Sequence, residues 1–140
     1  MNALLLLKGY CLSQLGKDKV DTMTFGSNAK DINESLNQTR EFRRMQEEAD
    51  DFPLQFFFDM RESIKRIRIE GTHLEEGEMF DLRRSLETIA GIVKFLNRCD
   101  DDGHYDYPTL HLLTEGVLTF PDIIHRIDQI LDKYGKIKDT

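Results

Sequence analysis

The chain has 140 residues, enough for one domain with a real core. A hydrophobic fraction of 39% beside a charged fraction of 32% suits amphipathic helices with solvated outer faces and excludes a low-complexity chain. With 26 acidic against 19 basic residues the net charge is −7, which argues against a main surface for nucleic-acid phosphates, since those contacts need Lys and Arg in excess.

The first helix is predicted over residues 3–12, apolar at Leu4, Leu7 and Cys11, with Gly9 weakening it only modestly. Ser13 carries the hydroxyl an N-cap needs, so a second helix restarts there and runs to residue 23 with Leu15, Val20 and Met23 inward. Residues 24–28, with Gly26, read as a turn. Asn28 caps a third helix over 29–49, whose inward stripe is Ile32, Leu36, Thr39, Phe42, Met45 and Ala49. Pro53 stops it, because proline cannot continue a helix and disfavours it at the preceding residue.

Residues 54–58 hold three consecutive Phe; without a partner strand, a loop or helical turn packed into the core is expected. Asp59 caps a shorter helix over 60–69, with Met60, Ile64 and Ile67 inward, ended by Gly71. The longest helix is predicted over 74–99. Its seam of Met79, Leu82, Leu86, Ile89, Val93 and Leu96 alternates three and four, and Phe80, Ile92 and Phe95 widen it into a face for packing inside a bundle. Residues 100–108 form an acidic loop. A short helix follows Pro108 with Leu110, Leu112 and Leu113 until Gly116 breaks it. A final helix over 121–133 carries Ile123, Ile124, Ile127, Ile130 and Leu131. The fold class expected is all-α, an irregular bundle of about five to seven helices with one long central helix. Residues 1–133 form the helical module and 134–140 an exit segment leading away from it.

The motifs that carry chemistry elsewhere fail here on spacing. Gly16-Lys17 lacks the glycine five residues earlier, where Cys11 stands, and the Ser or Thr after the Lys, where Asp18 stands, so no phosphate loop forms. Asp100, Asp102 and Asp106 offer oxygens for a divalent ion, but the sixth and twelfth positions of an EF-hand loop are Tyr105 and His111; a solvated interhelical loop is the preferred reading. His73, His104, His111 and His125 have no metal spacing. Ser13, Ser63 and Cys99 have no indicated base, so no catalytic, cofactor-binding or metal-binding residue is assigned. Cys11 and Cys99, each beside apolar residues near a helix end, are expected as buried free thiols in a reducing cytoplasm. The clusters Lys65, Arg66, Arg68 and Arg40, Arg43, Arg44 read as charged helix faces. The run Leu4, Leu5, Leu6 and Leu7 is too short for a signal segment and has no basic residues before it, so neither export nor membrane insertion is expected.

Four blocks, taken in order, resemble the N-terminal part of a MutS-type protein, of the bacterial paralogue branch that carries a C-terminal Smr nuclease domain. They are "LLKGYCLSQLGKDKV" from Leu6, "LNQTREF" from Leu36, "IKRIRIEGTHLEEGEMFD" from Ile64 and "DQILDKYGKIKDT" from Asp128. The resemblance rests on their order and spacing and covers nearly the whole chain. It implies a helical core that links a DNA-embracing clamp to an ABC-type ATPase. The full-length protein it implies is homodimeric, uses ATP and Mg²⁺, binds branched DNA, restrains recombination, cleaves as a nuclease, and has ribosomes as another target class.

This chain stops before the clamp helices, the Walker motifs and the Smr domain of that family, so no family catalytic residue maps onto it. The expected role is a non-catalytic core fragment whose partner is the rest of its own chain. A free-standing acidic helical adaptor for protein partners is the alternative; a small metal-dependent hydrolase has only the 100–106 loop in its favour. Leu86→Asp, in the middle of the long seam, is expected to loosen or unfold the chain; an unchanged melting curve would refute the packing assigned to that helix.

Overall fold

A computed structural model describes residues 2–139. Among them the fold is all-α, with seven helices: α1 (Ala3–Gly9), α2 (Gln14–Asp21), α3 (Ala29–Glu48), α4 (Arg61–Ile67), α5 (Glu76–Leu96), α6 (Pro108–His111) and α7 (Pro121–Ile130). A single 3₁₀ turn, Leu112–Thr114, continues α6. The only β pairing among the described residues is two isolated bridges, Cys99 with Tyr105 and Leu131 with Ile137.

Local chemistry explains where the helices begin. Asn2, Ser13 and Asn28 all have extended backbone, and each side chain accepts an N–H that the first turn leaves free: Leu4, Gly16, and the pair Lys30 and Asp31. Asp59, expected to cap α4, lies one residue before the cap position: Met60 stands there without a capping bond, and Asp59 Oδ1 accepts the Arg61 N–H at 3.1 Å. Most of the predicted helices are shorter than expected: α2 ends at Asp21, α4 spans Arg61–Ile67, and α7 ends at Ile130 rather than residue 133. α1 stops at Gly9, where the Tyr10 and Cys11 amides fold back on the Leu7 and Lys8 carbonyls, tightening the last turn. α5 stops at Leu96 rather than residue 99, because Cys99 is drawn into its bridge with Tyr105. α5 is the longest helix at 21 residues, with α3 close behind at 20.

The chain forms two compact units. One comprises Met1–Met23, Gln55–Thr88 and Phe120–Thr140; the other comprises Thr24–Leu54 and Ile89–Thr119. α5 contributes to both, changing unit after Thr88.

The second unit has the denser core. Met45 is fully buried among Phe95, Leu96, Tyr107 and Leu110, with Phe42, Ala49, Phe52 and Ile92 packed around them. The rings interlock: Phe52 meets Phe42 and Phe95 edge-on at 5.8 and 5.2 Å, and Phe95 stacks on Tyr107 at 5.8 Å. α6 has no cap of its own, since the Tyr107 side chain makes no capping bond. Glu41 on α3 supplies it instead, its carboxylate accepting the Thr109 and Leu110 amides at 2.9 and 2.7 Å. Pro108 fits this start, where a missing N–H costs nothing.

The first unit buries Val20, Met60, Thr88, Ile127 and Leu131 and is tied by side-chain bonds. Thr88 Oγ1 donates to the Gln55 carbonyl at 2.9 Å, and Lys8 pairs with Asp21 at 2.8 Å. Residues after Lys133, expected to lead away, turn back at Gly135. Ile137 N donates to Glu76 at 2.8 Å, and the Lys138 amide returns to the Ile130 carbonyl at 2.9 Å. Thr140 lies outside the described residues.

Several predicted inward positions are not covered. In α3 only the C-terminal half packs: Met45 is buried, while Ile32 and Leu36 are 40% and 47% exposed. Ile64 and Ile67 of α4 and Ile123 and Ile130 of α7 are also exposed. The 54–58 segment is a loop, as expected, but lies only partly in the core, with Leu54 and Phe56 exposed.

Met45→Ala is expected to cost about 2–4 kcal/mol of stability in urea unfolding, as fully buried methionines do, whereas Leu36→Ala should cost under about 1 kcal/mol. Similar losses at both positions would mean that the α3 stripe is covered along its whole length.

Candidate functional site

The sequence-level candidates can be placed one by one. Gly16 and Lys17 lie inside α2, and the Gly16 amide is spent on the Ser13 cap at 3.0 Å. A phosphate cradle needs free amides in a loop, so these residues do not fit a nucleotide. Asp100, Asp102 and His104 present ligand atoms within 4.8 Å of one another, all exposed; Asp106 is not part of that group. Asp100 Oδ1 already accepts the Asp102 and His104 amides at 3.0 and 2.8 Å, so it shapes the turn at Gly103. His111 Nδ1 lies 3.1 Å from the Leu96 carbonyl and its ring stacks on Tyr105; His73 and His125 are exposed. Cys11 and Cys99 are free thiols but not the buried ones expected: Cys11 is half-buried, and Cys99, past the end of α5, is exposed.

Half of the basic-cluster residues are tied into ion pairs; among the described residues Arg40, Lys65 and Arg68 make none. Arg43 and Arg44 reach Glu47 and Glu48 one turn on, and Arg44 also donates to the Asp106 carbonyl. Arg66 donates to Glu78, which also takes the Ser63 hydroxyl and, at 3.2 Å, the Glu75 amide. That set of donors, Arg66 foremost, holds the Glu78 carboxyl down at about 2. Arg61 bridges Asp18 and Asp59, and its hydrogen bonds hold Asp59 at about 2 as well. Arg83 binds Asp128 and lowers its pKa.

One cluster had no signal in the sequence pattern. The Arg84 guanidinium lies over three rings, at 4.9 Å from Phe56, 4.5 Å from Phe58 and 4.3 Å from Phe80. Its Nη2 reaches Asp81 at 2.6 Å, while its buried Nε and the neighbouring Ser85 hydroxyl have no protein hydrogen-bond partner. Among the described residues Phe56 is one of two non-glycine residues with positive φ, at 62°, an outlier for a bulky side chain. The arginine and the Phe triplet are far apart in the chain, so helical periodicity could not pair them.

The surface is divided by charge and by apolarity. The first unit holds fourteen acidic against thirteen basic residues and the second twelve against six, so nearly all of the net charge lies on the second. α1 buries no side chain; Leu4, Leu5, Leu6, Leu7, Tyr10 and Leu12 are all exposed. A helix apolar on every side is ordinarily covered. No helix among the described residues is long and apolar enough to cross a membrane.

These features define a helical scaffold with uncovered apolar faces, in which the expected chemical motifs serve as caps and turns. The particular relationship is to proteins described as Endonuclease MutS2. The chain is 27% identical over 135 residues to that of Latilactobacillus sakei, covering 96% of this chain and 17% of the relative. It is 25% identical over 127 residues to that of a Geobacillus species and 24% identical over 128 residues to that of Halalkalibacterium halodurans, covering 91% of this chain and 16% of each relative. The chain is therefore a distant homologue of one stretch of bacterial MutS2 endonucleases and spans about one sixth of their length. No family model matches it, and no solved structure matches it significantly.

The depressed Glu78 and Asp59 carboxyls give a pH dependence with a definite sign. They stabilise the fold fully above their ordinary range near pH 4, and that contribution is lost as pH falls towards 2. Glu78→Gln should therefore lower Tm at pH 7 but leave it closer to the parent at pH 2; a constant gap across that range would refute the pairing.

Proposed function

We propose that this chain acts as the helical core of a MutS-type DNA-processing protein, a non-catalytic module between a DNA-embracing clamp and an ABC-type ATPase. The observation that carries this reading is the homology to MutS2 endonucleases over 91–96% of the chain. The fold supports it: α5 is one continuous helix shared by both units, and a packed helix passes displacement along its axis as a rigid body.

On this reading the exposed faces of α1 and α3 are covered by other parts of such a protein, which is this module's first partner. ATP and Mg²⁺, binding of branched DNA, restraint of recombination, nuclease action, ribosomes as a further target and homodimer formation would belong to the full-length protein. The acidic second unit, with Phe25, Leu112, Leu113 and Leu118 exposed, favours a second reading, a free-standing adaptor for protein partners.

The native gene separates the two. A reading frame continuing into a Gly-rich loop ending in Lys and Ser or Thr is expected; a stop codon directly after Thr140 would give the lead to the adaptor. The chain alone should hydrolyse no ATP in a phosphate-release assay and should bind branched DNA no more tightly than plain duplex; either activity would refute the non-catalytic core.

A further inference from the structure

We propose that residues 132–139 form a strap whose seating on Phe80 is read, through Arg84, as the conformation of the Phe56 loop. The relay lies wholly within the first unit and stands independently of the MutS-type reading.

The strap is a formed element. Asp132 Oδ1 accepts the Tyr134 and Lys136 amides at 2.8 and 2.9 Å, the Asp132 amide returns to the Lys136 carbonyl at 2.7 Å, and Leu131 bridges Ile137. At its apex Gly135 has φ of 78° and is buried against the Phe80 ring; a Cβ there would lie 2.5 Å from Phe80 Cγ. Only glycine meets both the backbone angle and the close approach. Glu76 holds the strap's far side, accepting the Ile137 amide at 2.8 Å and pairing with Lys136 at 3.6 Å.

Phe80 is thus in contact with the strap and with Arg84, and Arg84 in turn lies over Phe56 and Phe58, themselves stacked at 6.3 Å. Three rings and the Asp81 carboxylate place Arg84, whose buried Nε has no protein acceptor; Phe80, the nearest ring at 4.3 Å, is the part of that setting the strap touches. Its position therefore follows Phe80, and the strained Phe56 backbone is held by the ring stack on Arg84. When the strap lifts, Phe80 loses its backing, Arg84 shifts, and the Phe56 loop relaxes. Coupling of this kind is reciprocal, so loosening Arg84 must also loosen the strap.

The chain has no tryptophan, so F56W places a single fluorophore in the loop, and Lys133, Lys136 and Lys138 make trypsin a probe of the strap. The full chain carrying F56W, with tryptic cleavage unchanged from the parent, is compared with its G135A and E76Q derivatives. Strap cleavage is expected to quicken about tenfold in G135A, and less in E76Q, as local opening becomes easier. Indole emission should shift to the red and acrylamide quenching should rise in step. R84M should likewise quicken strap cleavage. Faster cleavage with unchanged emission overturns the relay, as does unchanged cleavage in R84M or in both strap variants. Where G135A loses its helical circular dichroism, E76Q decides by the same criteria.

Discussion

A helix that is apolar on more than one side has to be packed from more than one side, and α5 imposes that constraint on the rest of the chain. Its second-unit end supplies Ile92, Phe95 and Leu96 to the ring-lined core around Met45. Its first-unit end presents Phe80 and Arg84 to the strap and the Phe56 loop, and Thr88 to the Gln55 carbonyl. Apart from α3 the remaining helices are short, and those of seven or eight residues are marginal by themselves in water. They persist because they are capped locally or held by an ion pair to a neighbour.

Ion pairs and caps carry an unusual share of the specificity. Glu41 illustrates this: a charged residue on α3 starts α6 by taking two of its free amides. Glu78 does related work at the opening of α5, gathering an arginine, a hydroxyl and a backbone amide on one carboxylate. Charge-assisted bonds of this kind fix geometry more than they add stability where the groups are half in water. The high charged fraction is thus partly architectural, with Arg43, Arg44 and Arg66 of the basic clusters paired within the chain.

The uncovered leucines of α1 and the first half of α3 are the other side of that economy. A scaffold with its own complete core would bury them; here the apolar stripe of α3 is regular from Ile32 to Ala49, yet only its C-terminal half meets a partner within the chain. The chain is a distant homologue of about one sixth of the MutS2 endonucleases, and these faces are bare within it.

The sequence by itself determined the helices and most of their starts, because caps at Ser13 and Asn28, stops at Pro53 and Gly116, and three-four periodicity are all local. It also determined that Gly16-Lys17 is no phosphate loop, since that depends on neighbours within a few residues. Burial was not legible, because a stripe such as Ile32 and Leu36 looks the same covered or bare. Nor was the Arg84 cluster, or the return of the strap onto Phe80 and Glu76. Those pairings join residues tens of positions apart, and only the tertiary fold, by bringing ring against guanidinium and glycine against ring, decides them.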